Sequence, residues 1–172
     1  MASKASIAGH PIHPMLVGIP IGLFVFALVA DLASMVNGAS DAWRTVAFYC
    51  IGGGIVGALL AAPFGLIDLL SIRDERAKKI GIMHMVANLS VVALFVINFI
   101  LRWQGVATAT PLLLSVLGIL LLLVAGWLGG EMVFRYGVAQ AGPAAPAAVE
   151  RRRVRTAVSQ DRRHPGSPIG QH

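Results

Sequence analysis

The sequence predicts an all-α membrane protein, a bundle of four transmembrane helices in up-down-up-down order with no sheet. Of its 172 residues, 56% are hydrophobic and 13% are charged, whereas soluble domains average roughly 45 to 50% and about 25%. Four predominantly apolar runs reach the length of about 20 residues that crosses a bilayer. Because the connections between them are short, consecutive helices should be antiparallel neighbours.

We predict the spans at about residues 15–36, 46–70, 80–101 and 112–134. The first run is too long for a secretory signal and lacks an evident cleavage site, so we interpret it as a retained span. Together they form a transmembrane domain over residues 1–138, followed by a disordered, basic tail rich in Pro, Ala and Arg at residues 139–172. The tail cannot bury enough apolar area to fold alone.

Small residues predict how the helices pack, because close backbone approach holds helices together in lipid. Span 2 carries Gly53, Gly57, Ala61 and Gly65 at steps of four. Spans 1 and 4 carry similar pairs, and we expect all these small faces to meet. The pairs are Gly18 with Gly22, and Gly126 with Gly130. The alternatives are that they pack against a flat cofactor or against a second copy of the protein.

The positions of Lys and Arg predict the orientation. Four crossings place twelve of the 14 basic residues on one side, and only Arg44 and Arg102 on the other. We therefore expect a multi-pass protein of the bacterial inner membrane with both termini in the cytoplasm. The arginines of the tail have no aromatic residues among them, which argues against nucleic acid as a partner.

Ionisable residues inside a span are costly and are functional candidates by default. Five of the six near the spans fall at one end of the antiparallel arrangement. They are His10, His13, Asp68, His84 and Glu131. The two hairpins each begin with a histidine and end with an acid, which suggests a weak internal repeat.

The chemistry of imidazole limits what this end could bind. A histidine pair from two helices can be the axial ligands of a haem. His10, His13, His84 and Asn88 are accordingly the candidate haem-binding residues, and we expect His13 and His84 to approach within about 10 Å. Alternatively, His10, His13, His84, Asp68 and Glu131 offer the nitrogen and oxygen ligands of a divalent transition metal. His10 and His13 each precede a proline, which predicts that both lie on an extended lead-in before helix 1.

Several functions remain open at this point. The first is redox or metal handling with haem b or a transition metal, the second is a structural or assembly subunit without a cofactor, and the third is a small oligomeric transporter. No motif of a hydrolase or transferase is recognisable. The bilayer is the expected partner, together with a redox protein or further copies of the chain.

Two motifs carry a resemblance to a known family. The paired His-Pro entry at His10–Pro14 and the Gly-Trp-Leu-Gly-Gly-Glu exit at Gly126–Glu131 resemble a bacterial family of four-helix inner-membrane proteins of unknown function. The resemblance covers about residues 8 to 138 and includes Asp31, Asp68 and His84. It implies the four-span topology. Relatives are sometimes joined to redox domains, which implies electron-transfer chemistry.

Overall fold

The computed structural model describes residues 3–38, 40–106 and 109–138. Within these ranges the chain forms four long helices, α1 (Ile12–Val36), α2 (Asp41–Ser71), α3 (Glu75–Trp103) and α4 (Ala109–Phe134). All four are long and apolar enough to cross a membrane, so the prediction of an all-α fold with four candidate spans is confirmed. Each helix begins a few residues before its apolar run, because polar first turns are helical too. The tail predicted at residues 139–172 lies outside the described residues.

A short β-hairpin before α1 was not predicted. Strands β1 (Ser6–Ile7) and β2 (His10–Pro11) pair antiparallel. Ala8 and Gly9 connect them with φ angles of 51° and 82°, the left-handed pair that a type I′ turn requires. The usual signal for this turn is Asn-Gly or Asp-Gly. Because alanine occupies the first of the two turn positions, the sequence did not predict the hairpin.

The bundle consists of two helical hairpins, since α1 packs mainly along α2 and α3 mainly along α4. The second hairpin repeats the first. Leu23-Phe24-Val25 of α1 recurs 71 positions later in α3 as Leu94-Phe95-Val96, and Gly54-Ile55 of α2 recurs 64 positions later in α4 as Gly118-Ile119. Their contacts recur as well, because Gly54 lies against the Phe24 ring as Gly118 lies against the Phe95 ring.

Equivalent positions of the two hairpins meet on the axis of the bundle. In the middle, the rings of Phe24 and Phe95 stack with centroids 4.0 Å apart and planes 2° apart. Towards one end, Asp31 of α1 pairs with Arg102 of α3, again 71 positions apart. Helices α1 and α3 run in the same direction, so the hairpins are parallel repeats about a pseudo-twofold axis along the bundle.

The Asp31 end of the bundle holds a buried polar network. Arg102 donates from Nη2 to Asp31 Oδ2 at 2.7 Å and from Nε to Asn98 Oδ1 at 2.8 Å, while Ser115 Oγ donates to Asp31 at 3.0 Å. The fully buried Asn98 amide donates to Pro111 O and to Ser115 Oγ. The network joins three helices, and satisfying these groups within the protein avoids the cost of leaving them unpaired in hydrocarbon.

Only part of the predicted glycine packing is observed. Gly57 packs closely against Ile19 and Pro20 of α1, as expected for the small face of α2. Gly18, Gly22 and Gly126 instead have open space where a side chain would project. The expectation that the small faces of α1 and α4 pack in the same way is therefore wrong, because α1 turns Phe24 and Pro20 inward instead.

These glycine environments predict different effects of the same substitution at two positions. A Cβ at Gly54 would lie 2.5 Å from Phe24 Cε1, so Gly54→Ala should lower the unfolding free energy by about 1–3 kcal/mol through overpacking. Gly18→Ala, with nothing within 4 Å, is the matched control and should change stability little. Unfolding in mixed detergent micelles measures both, and equal losses would contradict the packing described here.

The axial ion pair predicts rescue by exchange of its charges. Asp31→Arg and Arg102→Asp each place like charges together in a buried site, and each should destabilise the protein by about 3–5 kcal/mol. The double variant restores opposite charges and should recover much of that loss. The same unfolding assay provides a double-mutant cycle, in which additive losses would show that the pair does not join α1 to α3.

Candidate functional site

His13 is the second residue of α1 and lies at the end of the bundle opposite the Asp31 network, the histidine end. Its Nδ1 lies 3.0 Å from the backbone oxygen of Ala61 on α2. Since a carbonyl only accepts, Nδ1 carries the proton and Nε2 keeps its lone pair in the neutral ring. The ring lies over Gly65, where an added Cβ would be 2.7 Å from the imidazole Cε1. Glycine is therefore required for this position of the ring.

His84 on α3 is held in the same way by α4. Its Nδ1 lies 2.8 Å from the backbone oxygen of Ala125, and a Cβ on Gly129 would lie 3.0 Å from its Cε1. The two histidines are 71 positions apart, and both the two alanines and the two glycines are 64 apart. The imidazole sites are thus equivalent parts of the two hairpins.

The second ring nitrogen distinguishes the two histidines. The Asn88 side-chain amide donates to His84 Nε2 at 3.2 Å and to the backbone oxygen of His84 at 2.8 Å. In the described part of the chain, no hydrogen bond to His13 Nε2 is found. The position in α1 equivalent to Asn88 is Val17, which cannot donate. The repeat is therefore symmetric at Nδ1 and asymmetric at Nε2.

His13 and His84 both lie at the histidine end, near the starts of α1 and α3. Both side chains are half-buried. The expectation that these two imidazoles approach within about 10 Å stays a prediction. Helices α1 and α3 are diagonal in the bundle, and each ring contacts the other helix of its own hairpin.

His10 does not join this pair. It lies in β2, is exposed, and its Nδ1 contacts Ala8 O at 3.2 Å within the hairpin. The extended lead-in predicted for both histidines is found for His10 only, and for His13 it is wrong. Pro14 is the third residue of α1, where its missing N–H costs nothing, so the helix begins before His13.

Asp68 binds the N-terminal strap, which comprises residues 3–11. Its Oδ1 accepts hydrogen bonds from Ser3 Oγ at 2.7 Å and from the backbone N–H groups of Lys4 and Ala5 at 3.2 and 3.3 Å. Ile12 N donates to Ala5 O, which ties the strap to the start of α1. Among the described residues, the buried Oδ2 of Asp68 has no hydrogen-bond partner.

Glu131 forms an ion pair with Arg135 at 2.6 Å. This hydrogen bond raises the pKa of the exposed Arg135 guanidinium. Across residues 3–38, 40–106 and 109–138, no group of three or more His, Cys, Asp or Glu side chains is placed to hold a metal ion. The predicted metal set is therefore not assembled there, because Asp68, Glu131 and His10 have the separate partners described above.

Some parts of this site escaped the sequence analysis. The backbone acceptors on Ala61 and Ala125 have no signature, since every residue has a carbonyl. Gly65 and Gly129 were noticed only as small residues or as part of a motif. Their separation of 64 positions, which Ala61 and Ala125 share, is the signal that would have revealed both.

A comparison with protein families agrees with this architecture. The family model described as a predicted membrane protein, DUF2231, matches residues 9–142. The chain belongs to the DUF2231 family. The match begins beside the His-Pro entry and spans all four helices, which confirms the resemblance and the assignment as a membrane protein. No curated protein and no solved structure matched the chain.

For this DUF2231 protein, the strap predicts a local effect of changing Asp68. Asp68→Ala removes the acceptor of the hydrogen bonds from residues 3–5, and hydrogen bonds to charged groups are worth about 1.5–3 kcal/mol each. Amide hydrogen exchange at Lys4 and Ala5 should therefore accelerate by about tenfold or more.

Asp68→Asn is the matched control, because its carbonyl oxygen still accepts. Exchange at Lys4 and Ala5 should be intermediate in that variant. Wild-type exchange at both amides in Asp68→Ala would show that Asp68 does not hold the strap.

Proposed function

We propose that this protein binds haem b between its two hairpins, with His13 and His84 as the axial ligands, and that it transfers electrons in the membrane. One observation carries the proposal. Two imidazoles at equivalent positions of a repeat, on the parallel helices α1 and α3, are each fixed through Nδ1 at the same end of the bundle. Bundle cofactors are commonly held by side chains on facing helices in this way.

The number of ligands favours haem over a bare metal ion. Structural zinc sites use four protein ligands and catalytic sites about three, whereas the described residues include no group of three or more His, Cys, Asp or Glu side chains placed to hold an ion. A porphyrin supplies the equatorial nitrogens itself and needs protein ligands only on its two faces. An imidazole pair fits that requirement, and His10, Asp68 and Glu131 are not needed.

The protein groups around the pair would orient the ligands. A histidine that donates its other ring N–H to a carbonyl is fixed in one tautomer and becomes a better ligand through the remaining nitrogen. The oxygens of Ala61 and Ala125 accept from Nδ1 in this way. Asn88 would give up its contact with His84 Nε2 on ligation and would keep its hydrogen bond to His84 O.

The surroundings support a site at the membrane surface. The exposed Arg73 and Lys79 lie at the histidine end and are candidate partners for the haem propionates. The excess of basic residues at this end supports a position on the cytoplasmic side of a bacterial inner membrane by the positive-inside rule. Its redox partner would then be a protein reached from the cytoplasm or a further copy of the chain.

A second candidate is a structural or assembly role without a cofactor. The observation that favours it is that three of the four ring nitrogens of His13 and His84 already have a partner within the protein. Both Nδ1 atoms bond to carbonyls, and His84 Nε2 accepts from Asn88. Such satisfied imidazoles can simply join the helices of each hairpin.

The optical spectrum of the full-length protein purified with haem available tests the proposal. We expect a Soret band, at least tenfold weaker in His13→Ala and in His84→Ala because each change removes one axial ligand. His10→Ala is the matched control, since His10 is exposed and bonded within its own hairpin, and it should keep the band.

Far-UV circular dichroism confirms that each variant is folded, and His84→Gln repeats the test with a side chain of more similar size. A folded, colourless wild-type protein that does not take up added haem would overturn the proposal. If His13→Ala and His84→Ala then also unfold more easily, the structural role is favoured.

A further inference from the structure

We infer that the exposed first turns of α3 and the connection before them bind the headgroups of anionic phospholipids. This cationic surface consists of the side chains of Arg73, Arg76, Lys78 and Lys79, all of which are exposed. The inference does not rest on the proposed function, although it shares Arg73 and Lys79 with the candidate propionate partners, because its test measures bound lipid and not haem.

The cations of this surface are available to a ligand. In the part of the chain that the structure describes, none of the four side chains forms an ion pair. The opposite end differs, since Arg44 pairs with Asp41 at 3.6 Å and Arg102 with Asp31 at 2.7 Å. Unpaired positive charge is therefore concentrated at the histidine end.

Neighbouring acids reduce this charge without cancelling it. Asp74 caps α3, with its Oδ1 accepting from Ala77 N at 2.8 Å, and Glu75 lies in the first turn. Acids at a helix N-terminus are favoured by the helix dipole, so both have a local role. Four cations against two acids leave a net positive surface between residues 73 and 79.

The phase of α3 places these cations beside lipid. Arg76, Lys79, Met83 and Val86 follow the spacing i, i+3, i+7 and i+10 and share one face of the helix. Met83 and Val86 are 50% and 54% exposed within a candidate span, which is where acyl chains would contact the protein. Lys79 lies about 6 Å closer to the N-terminal end of α3 than Met83 does.

This geometry selects a ligand that is both anionic and apolar. A lipid phosphate would meet Arg76 and Lys79 while its acyl chain lies along Met83 and Val86. Arginine binds phosphate through paired N–H groups and lysine through its point charge. A soluble anion would use only the cationic half of the face, so charge complementarity together with the apolar stripe indicates anionic phospholipid.

The test measures which lipids remain with the full-length protein. Wild type and variants are reconstituted in nanodiscs of phosphatidylcholine and phosphatidylglycerol, extracted gently in detergent, and analysed for bound lipid by mass spectrometry. We expect phosphatidylglycerol to be enriched over the input in wild type. Each cation near an anionic surface contributes roughly fivefold, so Arg76→Gln with Lys79→Gln should reduce the enrichment by about tenfold or more.

Arg44→Gln is the matched control, because it removes one exposed charge at the opposite end. It should leave the enrichment unchanged. Wild-type enrichment in the Arg76/Lys79 double variant, or an equal loss in Arg44→Gln, would overturn the inference. Inorganic phosphate should displace the lipid no better than chloride at equal ionic strength, and specific displacement by phosphate would indicate a plain anion site instead.

Discussion

The structure depends on the absence of water inside a bilayer, which obliges polar side chains in the spans to find partners within the protein. The bundle meets this constraint mainly along its axis. Asp31, Asn98, Arg102 and Ser115 satisfy one another at one end, and His13 donates to a backbone oxygen at the other. The outer surface is left to apolar side chains, such as Leu123 and Val124, which lipid accepts.

Repetition of one hairpin explains why the axis is the place where partners meet. A pseudo-twofold axis brings each axial residue of α1 opposite its equivalent in α3. Two identical aromatic residues can therefore stack there, and two residues of opposite charge can form an ion pair. Phe24 with Phe95 is the first case, and Asp31 with Arg102 is the second. Two departures from the repeat are therefore informative. Asp31 is opposite Arg102, where two identical charges would repel, and Asp68 binds the single N-terminal strap.

The histidine end combines this internal order with an open exterior. The imidazoles are fixed from within by backbone oxygens and glycines, while Asp68 fastens the chain that leads into α1. The same end carries the unpaired cations that would face headgroups. A cofactor held here would lie near the membrane surface, where a partner protein can approach it, while the Phe24–Phe95 stack separates it from the opposite end.

The sequence by itself determined the spans, their alternating directions and the end at which the histidines lie, because these follow from apolar run lengths and short connections. Only the tertiary structure decided which polar residues meet. Asp31 and Arg102 are far apart in sequence, and the hydropathy of the chain does not predict that residues of α1 and α3 meet on the axis of the bundle. The sequence likewise grouped Asp68 and Glu131 with the histidines by depth alone. Their side chains turn to the strap and to Arg135 instead, because direction around a helix depends on the packing of its neighbours.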